Sequence, residues 1–149
     1  MSLKVEKIKV AATLCLSEGV KKKGFIFLSP FGAVGSRPQT VEELISEREK
    51  VLPFEDSEEG FMLIGKAGIS AIGVGIESSS CEMEFFNATG VAVHLVGGFG
   101  LAGDFLVEKG LGFRPSDAIN SDEPRFLLRS GDTIYLVSKK HLSTLKFQK

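Results

Sequence analysis

The chain has 149 residues, of which 43% are hydrophobic and 25% are charged, a composition that excludes disordered, fibrous and membrane-spanning proteins. Its 18 basic and 19 acidic residues give a net charge of −1, and neither half is basic, which argues against a DNA-binding protein. The two cysteines, Cys15 and Cys81, are too few for a disulfide framework. We therefore expect a folded cytoplasmic protein that does not associate with a membrane.

Strand patterns dominate the first half of the chain. Residues 10–16 alternate between two faces with the period of two that indicates a half-buried strand, and a glycine-bearing connection then leads to a second strand, as in a hairpin. Pro38 holds Arg37 extended, and Thr40 is a typical N-cap for a short helix with acidic residues in its first turn. The strands predicted for this half cover residues 10–16, 24–30, 50–56, 60–66 and 69–77.

The pattern starts again after a polar connector at residues 77–86. The strands predicted for the second half cover residues 90–96, 104–113, 125–132, 133–139 and 141–147. The order of the elements is the same as in the first half.

Identical residues at corresponding places indicate an internal repeat. Three positions near the first hairpin recur 79 residues later: Leu16, Gly19 and Gly24 as Leu95, Gly98 and Gly103. Further pairs recur at shorter separations: Arg37-Pro38 as Arg114-Pro115, and Leu63, Lys66 and Ser70 as Leu136, Lys139 and Ser143. Chance similarity between two β-rich halves is the alternative, and the shared order of elements argues against it.

The sequence therefore predicts a mainly β protein with two tandem copies of a five-strand unit and at most one or two short helices. The first copy is expected at residues 1–76 and the second at residues 87–149, related by a pseudo-twofold axis. Two small barrels and one merged sheet system are both compatible with the pattern. A unit of about 65 residues is marginally stable alone, so we expect the copies to share a core within one compact unit.

The segment from Ser36 to Val74 resembles a pattern found in small uncharacterised bacterial β-rich proteins. In that pattern a polar Arg-Pro or Arg-Leu turn leads to a short helix, a strand near a proline and a tail with Asn-Lys followed by spaced aliphatic residues. Here Gly65 replaces the asparagine and Lys66 keeps the lysine. The resemblance supports the boundaries of the repeated unit and implies no particular activity.

A glycine-rich stretch raises the question of a nucleotide site. Gly98, Gly100 and Gly103 spell the G-x-G-x-x-G fingerprint of a dinucleotide-binding loop. That loop must be followed by a helix, whereas residues 104–113 contain two interior glycines and correspond to a strand of the first half. We favour a hairpin connection over a dinucleotide loop and expect no cofactor.

Arg37 and Arg114 are the most suggestive charged residues, because the following proline holds each of them extended. If a symmetry axis brings their loops together, two guanidinium groups could bind a carboxylate or a phosphate. The alternative is that each arginine ties its own loop through hydrogen bonds to carbonyls. Of the histidines, His94 is predicted on a strand and His141 in a solvated turn, and neither has the spacing of a metal ligand.

We expect a non-enzymatic binding, assembly or regulatory module, because no catalytic constellation stands out. Its partner would be another protein or a small anionic ligand, and a homo-oligomer is possible. The main alternative is a small nucleotide- or anion-binding protein or enzyme that uses Arg37, Arg114 and the three glycines. An Sm-like RNA-binding protein is a weaker alternative, because the charge balance is slightly acidic.

Overall fold

Ten antiparallel strands and two short α-helices make up the computed structural model, which describes residues 7–32, 37–79, 81–110 and 114–148. The strands are β1 (Ile8–Leu16), β2 (Lys21–Leu28), β3 (Val51–Asp56), β4 (Gly60–Gly65), β5 (Ile69–Gly75), β6 (Phe86–Leu95), β7 (Gly100–Glu108), β8 (Arg125–Ser130), β9 (Thr133–Ser138) and β10 (Leu142–Phe147). The helices are α1 (Val41–Ile45) and α2 (Pro115–Ile119). Short 3-10 turns cover Lys66–Gly68, Ile76–Ser78, Met83–Phe85 and Lys139–His141. The prediction of a mainly β protein is confirmed.

All ten strands belong to one sheet, in the order β10-β6-β7-β8-β9-β5-β1-β2-β3-β4. Each half has the same internal order, and the halves join where β5 pairs with β9. We call this pairing the seam. The sheet is not closed, so the merged sheet is the predicted arrangement that the structure shows, and the prediction of barrels is not confirmed. A twofold axis would also pair β4 with β10, which lie at opposite ends of the described sheet, so the predicted twofold is not confirmed either.

The strand register is the same in the two halves. In the first hairpin Ala12 lies opposite Gly24, and in the second Val91 lies opposite Gly103, the corresponding residues. An irregularity in the β1–β5 ladder falls between Cys15 and Leu16, and the β10–β6 ladder shifts register at the matching place. Register is set by turn geometry and by the hydrophobic pattern, which both halves share.

The hydrophobic core consists of two clusters that exchange residues at the seam. The first cluster lies in the first half but includes Leu136 of β9. The second lies in the second half but includes Cys15 of β1 and Ala71 of β5. Strand β5 is therefore buried on both faces, which explains why all its residues except Ser70 are apolar or glycine and show no alternation.

A lysine side chain covers the end of each short helix. Lys66 Nζ donates to the carbonyls of Leu44 at 3.0 Å and of Glu47 at 3.3 Å. Lys139 Nζ donates to the carbonyls of Ala118 at 2.8 Å and of Ser121 at 3.2 Å. A helix of five residues is not stable alone, and these ammonium groups add a charged donor to carbonyls at its C-terminal end. Among the described residues, no helix has the length and apolar character needed to cross a membrane.

We expect Lys139→Met to lower the free energy of unfolding by about 1–2 kcal/mol, because the last carbonyls of α2 lose a charged donor. The measurement is urea denaturation followed by circular dichroism. Lys140→Met is the matched control: this neighbour is exposed and should change stability by less than about 0.5 kcal/mol. Equal effects of the two substitutions would show that the hydrogen bonds of Lys139 do not stabilise the protein.

Candidate functional site

The glycine fingerprint lies across a β-hairpin. Gly98 has a φ of 99° in the turn between β6 and β7, and both Gly100 and Gly103 lie in β7. Strand β7 pairs antiparallel with β6 and with β8, so the stretch after the glycines is a strand. The prediction of a hairpin is confirmed, and a dinucleotide loop would need a helix at this place.

Gly103 is required by a close approach between neighbouring strands. A Cβ atom at Gly103 would lie 2.0 Å from the carbonyl oxygen of Arg129 in β8. Its counterpart Gly24 has the same environment, with the carbonyl oxygen of Glu55 in β3 at 2.0 Å. At Gly100 the nearest atom, from His94, is 3.7 Å away, an ordinary contact distance. The repeated glycine is therefore explained by packing of the sheet.

We expect Gly103→Ala to destabilise the protein by about 2–3 kcal/mol, since the new methyl group would overlap a backbone atom. Gly100→Ala, in the same strand, should be neutral or slightly stabilising, because glycine inside a strand costs conformational entropy. Chemical denaturation of both variants checks this. Similar stability of the two variants would contradict the packing explanation.

Arg37 and Arg114 each bind a carboxylate of the adjacent helix. Arg37 Nη2 lies 3.7 Å from Glu43 Oε1, and Arg114 Nε lies 3.3 Å from Asp117 Oδ2. The backbone N–H of Arg114 also donates to Asp117 Oδ2, and this bond, followed by that of the Arg114 side chain, holds the pKa of the Asp117 carboxyl below its usual range. These interactions are close to the alternative in which each arginine ties its own loop, with carboxylates in place of carbonyls.

The two arginines do not occupy equivalent positions. Arg114 is the N-cap of α2, the place that Thr40 holds for α1, whereas Arg37 lies before the cap. Arg37 lines a cavity of about 200 Å³ beside the seam, and Arg114 is not among the residues around it. The helix caps align Arg114 with Thr40, so this alignment differs by three residues from the one that the shared Arg-Pro pair suggested.

A second cavity, of about 520 Å³, opens where the two halves meet. Its exposed rim carries Arg48, Lys50 and Lys140 together with Glu49, and its inner wall includes Leu136. Close by, Arg125 of β8 binds α1 of the other half, with Nε 3.1 Å and Nη2 2.9 Å from the Glu42 carboxylate. This bidentate ion pair connects the halves beside the seam.

His141 is buried, which corrects the expectation of a solvated turn. It lies in the 3-10 turn before β10, and its Nδ1 atom has no hydrogen-bond partner among the described residues. Burial and the neighbouring Lys140 charge lower the pKa of His141, and a hydrogen bond with the backbone of Ala67 partly opposes them. His94 is exposed on β6. In the described part of the chain, no cluster of three or more histidine, cysteine or acidic side chains could hold a metal ion.

We expect stability to fall as the pH is lowered from about 7.5 to about 5.5, because the unfolded chain protonates His141 near its ordinary pKa of 6.5 while the folded protein resists protonation. His141→Gln should flatten this pH dependence, and His94→Gln, at an exposed site, should retain it. Urea midpoints at several pH values provide the measurement. An unchanged slope in His141→Gln would contradict the assignment.

The two cysteine thiols lack the features of a nucleophile. Burial raises the pKa of Cys15, partly offset by the charge of Lys21, and burial also raises the pKa of Cys81. A reactive cysteine has the opposite shift, because the thiolate is the attacking species.

The strands at the two ends of the sheet expose large hydrophobic side chains, a feature that the sequence patterns did not reveal. Phe61 and Leu63 of β4 are 66% and 60% exposed, whereas Ile134 and Leu136, at the corresponding positions of β9, are 3% and 8% exposed. The strand pattern at residues 60–66 does not show whether this strand ends the sheet. The available signal was β4 itself, which contains no charged residue.

No protein-family model, curated protein or solved structure matches the chain. What the protein does must therefore be inferred from its own geometry.

Proposed function

We propose that the protein is a non-enzymatic binding and assembly module that acts by accepting a further β-strand at the edge of β4. The observation that carries the proposal is the exposure of Phe61 and Leu63 on a strand that ends the sheet. The edge of such a strand presents unpaired backbone N–H and C=O groups, which can pair with a strand from another chain.

Strand β4 lacks the protection that edge strands of monomeric proteins usually have. Charged side chains, prolines or bulges normally prevent pairing at an edge, but the sequence from Gly60 to Gly65 contains no charge and no proline. Its ladder with β3 runs in one register from Val51↔Gly65 to Asp56↔Gly60. Val51 at the end of β3 is also exposed, so the apolar surface continues onto the neighbouring strand. An open edge of this composition favours binding of another strand.

Duplication of one five-strand unit accounts for this edge. The equal strand order, the equal registers and the two helix-capping lysines support the proposed duplication. In such a duplicated chain β9 is the counterpart of β4, and β9 is paired at the seam while β4 is not. Because β9 pairs with β5 on its outer edge, we expect that the outer edge of β4 can also accept a neighbouring strand.

The alternative of an anion- or nucleotide-binding protein has less support in this geometry. It relied on Arg37, Arg114 and the glycine stretch acting together. The two arginines bind separate carboxylates, and Gly103 is explained by its approach to Arg129. The loose resemblance to small bacterial β-rich proteins fits a repeated structural unit and adds no activity to it.

Photo-crosslinking at position 61 tests the proposal. A benzophenone amino acid replaces Phe61, or replaces Phe31 as the matched control, since Phe31 is also 66% exposed but lies outside the strands. Each protein is irradiated alone and in a lysate of its source organism. Adducts are expected at position 61 and not at position 31, because only position 61 lies on an edge that accepts a strand.

The same experiment contains the result that contradicts the proposal. If position 61 forms no adduct above the level of position 31, alone or in lysate, the β4 edge is not a binding site. Circular dichroism of both substituted proteins shows that the comparison is made between folded chains.

A further inference from the structure

We infer that the strand added at β4 is β10 of a second copy of this chain, so that copies assemble head to tail. The inference rests on the proposed function of β4 as a site of strand addition, and it names the occupant. Its starting point is that the two ends of the sheet, β4 and β10, are the repeat counterparts of the two strands that meet at the seam, β9 and β5.

The seam defines how the two ends fit each other. Within the chain, Ile72 lies opposite Leu136, and Val74 lies opposite Ile134. In the proposed repeat, Ile72 and Leu136 correspond to Leu145 and Leu63. Likewise, Val74 and Ile134 correspond to Phe147 and Phe61. A junction of the same register between copies therefore places Leu63 opposite Leu145 and Phe61 opposite Phe147.

The residues at the seam are buried, whereas the corresponding residues at the free ends are exposed, as expected of an interface without its partner. At the seam Val74 is 4% exposed and Ile134 is similarly buried, whereas Phe147 is 44% exposed and Phe61 is more exposed still. All four residues are apolar, and the two at the free ends of the sheet are phenylalanines. An aromatic pair directly opposite on antiparallel strands is a favourable cross-strand contact.

The backbone of β10 has the geometry of β5 at this place. Both strands pair antiparallel with the first strand of their half, and both ladders shift register at the same point. We therefore expect the free edge of β10 to follow the same backbone path as the edge of β5 that pairs with β9.

Charges do not oppose the junction. Beside the seam, Arg125 forms an ion pair with Glu42. In the proposed repeat, Val51 corresponds to Arg125 and Ser116 to Glu42, so neither of these two positions is charged at the junction between copies. Lys146 of β10 would lie opposite Met62, the counterpart of Tyr135, with its ammonium group free to reach solvent. The junction between copies lacks the ion pair of the seam and contains Lys146 where the seam has Gly73, so we expect a weaker, reversible contact.

A pairing of β4 with β10 is heterologous, because the two partners contribute different surfaces. Such contacts continue from copy to copy and close into a ring when the rotation between copies permits it. The exposed edges of a single chain are thereby covered in the assembly, except at the ends of an open chain of copies.

Native mass spectrometry and light scattering of the purified protein test this inference across a range of concentrations. We expect the wild type to form oligomers, and Phe61→Lys and Phe147→Lys each to abolish them. Phe31→Lys, at an equally exposed phenylalanine outside the strands, should retain the oligomer. Circular dichroism confirms that each variant is folded, which is expected because the replaced side chains are exposed.

An equimolar mixture of Phe61→Lys and Phe147→Lys distinguishes head-to-tail pairing from pairing of like edges. The first variant keeps an intact β10 and the second an intact β4, so the mixture should form one-to-one dimers although each variant alone is a monomer. If copies pair through β4 alone, Phe147→Lys remains a dimer by itself, and this result overturns the inference.

The register has its own test in a Cys81→Ser background. Phe61→Cys combined with Phe147→Cys should form a ladder of disulfide-linked chains under mild oxidation, whereas either substitution alone should not. A wild type that stays a single chain at all concentrations, with crosslinks from position 61 to a different protein, overturns self-assembly and leaves β4 as a strand-addition site. The lack of any crosslink from position 61 overturns both.

Discussion

The pairing of β5 with β9 is the contact on which the rest of the structure depends. This pairing connects the five strands of the first half to the five strands of the second half in one sheet. Because β5 has a neighbour on each edge and a core cluster on each face, its residues Ile69–Val74 are buried on both sides. Leu136 enters the first cluster and Ala71 the second, so loss of this pairing would expose apolar surface in both halves.

The interactions around the seam have different physical characters. The strand pairing and the exchanged side chains are apolar and non-local, while the Arg125–Glu42 pair is charged and partly exposed, so it contributes orientation more than stability. Buried His141 adds a titratable group that packs against the backbone of Ala67 in the other half. Protonation of His141 would place a charge in a desolvated position, which links the contact between the halves to pH.

Much of the fold could be predicted because local sequence patterns indicate where its strands, helix and turns lie. Alternation marked the strands, Thr40 marked the start of α1, and the repeated glycines marked the hairpins and the close approach at Gly24 and Gly103. The junction between the halves could not be predicted, since any of several strand ends satisfies the same local pattern and the choice is made by non-local packing.

The differences between expectation and structure at the candidate site have the same origin. The shared Arg-Pro pair suggested that Arg37 and Arg114 are equivalent, but cap geometry aligns Arg114 with Thr40. His141 lies among polar residues in sequence and was assigned to solvent, whereas it is buried and hydrogen-bonds with the backbone of Ala67 in the other half. In each case residue identity along the chain was informative about the local turn and not about its tertiary neighbours.

The two halves join through β9 and β5, and the strands at the corresponding places in the two halves, β4 and β10, lie at opposite ends of the sheet. Under the duplication proposed above, the apolar character needed at the seam is shared by the strands at the free ends. Charged residues would be expected to replace it if the edge stayed unpaired, because edge strands of monomers usually carry charge. Phe61 and Leu63 are instead apolar and exposed, and β4 contains no charged residue. This combination is the one that the proposed strand-addition site requires.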